Sequence, residues 1–150
     1  MLNRKHLVVI LFIIIPFVLD LSCIIAHESY FGEWIVVQEI ARNPIYALSN
    51  EEIESIIGKK VIYKTDVVIF GERICNQPKY DEECISDSEF FIENRLELRS
   101  LGINENTVKT ITIWERDEVW VNPGGFFIVK NGNTLIMLWD GVYFELAKQN

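Results

Sequence analysis

The sequence predicts a mainly β domain: an up-and-down antiparallel β-barrel or a strongly curved sheet, with one short helix after the first strand. Three observations predict it. Past residue 30, runs of β-branched and aromatic residues recur at short intervals between turn residues. One segment, Ser49 to Ile57, carries a clear helical period. Once an amino-terminal export signal is set aside, 124 residues remain, the size of one domain with one core.

The signal is read from residues 1–26. Arg4, Lys5 and His6 form a basic head, Leu7 to Leu19 is an apolar run of 13 residues, and Asp20 ends it. This order and length fit a secretory signal, whereas a spanning helix needs about 20 apolar residues. A retained anchor would have to extend to Ala26 and bury Asp20, at about 2.5–3.5 kcal/mol. Ile24-Ile25-Ala26 sets up cleavage before His27. Leu21-Ser22-Cys23 offers instead a lipoprotein-type box, with Asp20 where a leucine is wanted and Cys23 as the lipidated residue. The expected domain is 27–150, secreted or in the cell envelope, with membrane contact only through the signal segment or a lipid on Cys23.

Cysteine usage fits that compartment. Without Cys23, or with it lipidated, Cys75 and Cys84 remain, nine positions apart across Gln77-Pro78-Lys79. In an oxidising environment they would form a disulfide worth about 2–3 kcal/mol; the alternative is two free buried thiols. No Cys/His spacing suits a metal, and no cofactor is expected.

The elements follow in order. Phe31 to Ala41 reads as a long central strand, with Trp34, Val36, Gln38 and Ile40 on one face and Ile35, Val37 and Glu39 on the other. Asn43-Pro44 ends it. Ser49 and Glu52 form a capping box, Ile53, Ile56 and Ile57 an apolar stripe, and Gly58 a left-handed stop. Lys60 to Lys64 and Val67 to Phe70 read as short strands, the second extended by Glu72 to Cys75, and Cys84 to Ser86 as another. Ser86 to Glu89 repeats the capping logic ahead of Phe90, Phe91 and Ile92; Leu96, Leu98 and Leu101 fit strand or helix. Beyond Gly102 come strands at Thr107 to Trp114 and Val119 to Val121, and a turn at Pro123-Gly124-Gly125. Phe126 to Val129, Leu135 to Trp139 and Val142 to Ala147 complete the sheet, with a two-residue hairpin at Asp140-Gly141.

Gly32-Glu33-Trp34 near the start of the first strand, and Lys148 just past the last, resemble the Gly-X-Trp motif and closing basic residue of lipocalin-like (calycin-type) proteins. The segment LIMLWDGVYFELAK resembles the final hairpin of small secreted bacterial proteins of this kind. The resemblance implies a barrel spanning roughly 30–148, with the basic side chain packed over the tryptophan. Two features depart from the family: the helix follows the first strand, and Lys148 replaces an arginine, which forgoes bidentate pairing.

Charge and motifs narrow the function. The formal net charge is −8, and without residues 1–26 the chain carries 12 basic and 21 acidic residues, a charge of −9. Such a surface repels nucleic acid and anionic lipid. Beyond residue 26 there is one histidine, His27, at the expected new terminus, too mobile a place for a triad base. A carboxylate pair at Asp117-Glu118, beside Trp114 and Trp120, is better read as an acidic hairpin tip, and Asp81-Glu82-Glu83 as a solvated loop rather than a Ca²⁺ site. No enzyme is expected. Trp34, Val36, Trp114, Trp120 and Trp139 are the candidate lining of a barrel interior, which either holds a small hydrophobic ligand or peptide or is filled outright. The first case is an exported lipocalin-like binding protein. The second is an envelope-associated interaction protein or enzyme inhibitor, whose acidic surface meets a basic protein partner.

Overall fold

The computed structural model describes residues 30–150; the signal, its processing sites, Cys23 and His27 lie outside them. The architecture is one ten-stranded antiparallel sheet curled into a half-barrel, the mainly β, strongly curved form that the sequence predicts. The strands are β1 (Gly32–Arg42), β2 (Lys60–Tyr63), β3 (Val67–Phe70), β4 (Arg73–Asn76), β5 (Pro78–Ser86), β6 (Thr107–Glu115), β7 (Glu118–Val119), β8 (Phe126–Asn131), β9 (Thr134–Trp139) and β10 (Val142–Lys148). The helices are α1 (Asn50–Ile56) and α2 (Asp87–Asn94), followed by a 3₁₀ helix at Leu98–Leu101. None of the described helices is long and apolar enough to cross a membrane.

The sheet order is β4-β3-β2-β1-β10-β9-β8-β6-β5, with β7 beside β6. β4 and β5 therefore stand at opposite ends of the order, yet Gln77 alone separates them in sequence. One residue spans only about 3.5 Å, so the sheet has to curl until its ends meet at this corner. No ladder joins β4 to β5. The corner is tied instead by Gln77 N–H to the Asp66 carbonyl (2.9 Å), Asn76 N–H to Glu115 (3.0 Å) and the Tyr80 hydroxyl to the Lys64 carbonyl (2.6 Å).

The concave face holds the main core. Trp34, Val36, Val61, Tyr63, Val68 and Phe70 from one half meet Ile111, Ile113, Phe127, Leu135, Met137 and Phe144 from the other. The Tyr63 and Phe127 rings lie 4.5 Å apart, although three strands separate β2 from β8 in the sheet. At about 4.8 Å per strand, that path is close to 19 Å along the sheet. The rings thus meet across the curl.

A second core lies on the convex face, where the segment between β5 and β6 folds back. Phe90 of α2 and Leu98, Leu101 and Ile103 pack on Val108, Ile128, Ile136 and Tyr143. Strands covered on both faces read as unbroken apolar runs, which accounts for Phe126 to Val129 and Leu135 to Trp139.

Local expectations hold at the caps. Ser49 and Ser86 both form complete capping boxes, with Glu52 and Glu89, and the backbone N–H of each serine lowers the pKa of its glutamate. Asp140 and Gly141 take φ of 46° and 82°, the positive pair that the two-residue hairpin requires.

Several expectations are corrected. Bulges after Val36 and Glu39 break the alternation of β1, so Gln38 is exposed and Ile40 packs on the convex core, away from the face of Trp34. Glu72 to Cys75 does not extend β3: Gly71 (φ 60°) and Glu72 form a tight turn, and β4 folds back against β3. β5 begins at Pro78 and includes the acidic run that reads as a loop. Proline is tolerated at the start of a strand, and charge is common on one at a sheet edge.

The Cys75–Cys84 disulfide is not formed. Cys75 is a free, fully buried thiol on the concave face of β4, opposite Val68, and burial pushes it up to about 11. Cys84 lies on β5, opposite Lys109, at the other end of the sheet order. The two strands diverge from Gln77, so nearness in sequence does not bring the sulfurs together.

Candidate functional site

Of the five expected interior residues, Trp34, Val36 and Trp120 are buried in the concave core and Trp139 packs against it. Trp34 is wholly buried, its indole N–H donates to the Tyr30 carbonyl (2.8 Å), and the Lys148 ammonium stands 5.3 Å from its ring centroid. Val36 is buried beside it on the same face. Trp114 does not join them. Strand alternation puts it on the convex face of β6 with Val108, and among the described residues its buried indole N–H has no partner.

Trp120 and Trp139 belong to the same core toward its mouth, where Trp139 stays partly exposed. Trp120 is buried beneath the segment 120–125, which turns inward instead of standing as a surface turn. Glycine is required there. A Cβ on Gly125 would lie 2.1 Å from the Trp120 carbonyl oxygen, and one on Gly124 (φ 90°) would press Val61 and Tyr63 at 3.2 and 3.3 Å. The Tyr63 hydroxyl donates to the Gly124 carbonyl (3.0 Å), which fixes this plug to β2.

Between the plug, α1 and the β3–β4 turn lies a cleft of about 180 Å³, floored by Leu48, Ile56, Phe70, Pro123 and Trp139 and rimmed by Glu52, Lys59 and Arg73. Two depressions of about 390 and 150 Å³ adjoin it. One runs past Phe70 to Gly71 and Glu72, and the other past Trp139 to Leu138, Trp120 and Val121. The cleft exists because α1, too short to be stable alone, buries Ile53 and Ile56 against the open end of the curl and leaves a gap beside Phe70.

The far side of the core carries a polar cluster. The Tyr30 hydroxyl donates to Glu82 (2.7 Å), whose other oxygen accepts from the Lys109 ammonium (2.9 Å), with Lys109 only 7% exposed. Burial, then the Glu82 carboxylate, pushes the Tyr30 hydroxyl far above its usual range. Every polar atom in this group is used for packing and pairing. The cluster also explains Asp81-Glu82-Glu83: Glu82 points inward while Asp81 and Glu83 point out, so they do not converge on one ion. Among the described residues, no three His, Cys, Asp or Glu side chains are grouped to hold a metal. At the β6–β7 tip, Glu115 to Glu118 line an open acidic depression, with Glu118 registered opposite Glu115.

No family model, curated protein or solved structure matches the chain. Sequence reasoning found Trp139 but missed its neighbours Lys59, Phe70, Arg73 and Pro123. They come from four segments that only the curl assembles.

Proposed function

We propose that this chain is an exported, non-catalytic, lipocalin-like binding protein that takes a small hydrophobic ligand or peptide group at its mouth cleft and not in its interior. The observation that carries this reading is the contrast between the two tryptophans. Trp34 is sealed at 0% exposure, whereas Trp139 is half-buried over an open apolar floor. At about 180 Å³ the cleft is smaller than the ~300–1,000 Å³ of a drug-sized pocket, so it suits one side chain or the end of a short chain. Titrating the protein with a panel of uncharged apolar probes while following tryptophan fluorescence tests this. Saturable change that disappears in Trp139→Phe supports it, and a flat response across the panel refutes it.

A second reading has its own support. The rings that meet across the curl favour an interaction protein with a filled core, and a charge of −8 would draw a basic partner. Binding to a basic protein such as lysozyme should then weaken steeply with salt. Export itself is tested by intact mass. A product found outside the cytoplasm and beginning at His27 or at a lipidated Cys23 supports it, and a cytoplasmic product retaining Met1 contradicts it.

A further inference from the structure

We infer that the mouth cleft receives an extended peptide segment in which an apolar side chain is flanked by carboxylates; this rests on the cleft being the binding surface. Shape supports the first half. The cleft shares its walls with the two neighbouring depressions: Lys59, Phe70 and Arg73 line both the first and the central one, and Trp139 lines both the central one and the third. The central depression suits a single apolar side chain, and the run on either side suits a chain passing through rather than a compact molecule.

Charge supports the second half. In a chain of net charge −8, two cations stand over the same apolar floor. Neither has a carboxylate partner among the described residues. The Lys59 ammonium lies 5.8 Å from the Phe70 ring centroid, and the Arg73 guanidinium donates only to the neutral Asn122 side chain (2.5 Å). A guanidinium has five N–H donors in a fixed fork, so most of those on Arg73 remain for a carboxylate arriving along the groove. Two acids share the rim. Glu52 already accepts from the Ser49 backbone N–H (2.8 Å), and Glu72 lies on the β3–β4 turn at the outer end. The lining of the central cleft thus carries two cations against one carboxylate, where the surface as a whole is negative. An apolar anchor would sit on Trp139 and Pro123 while its acidic neighbours reach Lys59 and Arg73.

The test is an NMR titration of the full exported domain, following the Trp139 indole and Arg73 side-chain signals. The probes are blocked hexapeptides with a central leucine flanked by glutamates, glutamines or lysines, with octanol as an uncharged small probe. The glutamate peptide should shift both signals saturably, bind about tenfold more tightly than the glutamine peptide, as expected for one charge-assisted contact, and exceed the lysine peptide further. Arg73→Gln and Lys59→Gln should each reduce that preference, and the double variant should abolish it. Equal binding of glutamate and glutamine peptides overturns the inference but leaves the cleft as a binding surface if octanol still moves Trp139. If neither peptides nor octanol move Trp139, both readings fail.

Discussion

Among the described residues, the convex face of the sheet is covered on one half and partly open on the other. Over β8, β9 and β10, the side chains of Ile128, Ile136 and Tyr143 are fully buried beneath α2 and the 3₁₀ helix. Over β2, β3 and β4, Ile62, Ile69 and Ile74 are registered directly opposite one another in a row, and Ile74 is 51% exposed. Both halves carry apolar residues on both faces, so composition does not separate them. What separates them is the segment between β5 and β6, long enough to fold back over its own half of the sheet but not the other. Stability on the convex face is therefore local, whereas on the concave face the two halves share one core.

That contrast can be broken by substitution. The largest loss belongs to the shared core. Phe127→Ala removes the ring that bridges Tyr63 and Tyr30 and should cost about 3–5 kcal/mol in chemical denaturation; a loss under about 1 kcal/mol would mean that the interior is not packed. On the covered convex half, Ile136→Ala should cost about 2–5 kcal/mol.

Alkali separates the two cores next. Burial holds Tyr30, Tyr63 and Tyr80 in the concave core well above their usual range and raises Tyr143, on the convex side, to about 12. Raised values favour the neutral form in the fold. Their contribution is complete below the unfolded pKa of about 10 and is lost as pH rises through the folded values. Stability should fall from about pH 10 upward, and phenolate absorbance should show Tyr143 ionising before the concave tyrosines. Simultaneous ionisation of all four near pH 10 would contradict the burial. Below these in size, Ser86→Ala removes the α2 cap and should cost about 1 kcal/mol, visible as faster amide exchange confined to residues 87–106. Smallest of all, Ile74→Ala on the partly open half should change stability by no more than about 0.5 kcal/mol. A loss of 2 kcal/mol or more would show that this row is covered after all.

Features set by neighbouring residues were legible in the sequence: both capping boxes, the Asp140-Gly141 hairpin, and the strands from Thr107 onward except Val119 to Val121, of which only Val119 is in a strand, with Glu118. Features set by sheet order were not. Cys75 and Cys84 are nine positions apart but belong to opposite ends of the sheet. The acidity of β5 reads as loop because its charges suit an edge, and the bulges of β1 hide from any period-two count. The same limit applies to the tryptophans. All four are visible as large aromatics, but only strand parity and the inward plug distinguish sealed Trp34, outward Trp114 and covered Trp120 from Trp139 at the open mouth.

The most direct test is a residue-resolved NMR map of the domain while an uncharged apolar probe such as octanol is added. A filled interior with contact at the rim predicts saturable shifts at Trp139, Phe70 and Ile56, with Trp34 and Phe127 unmoved. Shifts centred on Trp34 and Phe127, with Trp139 silent, would mean that the ligand enters the curl and would contradict the account.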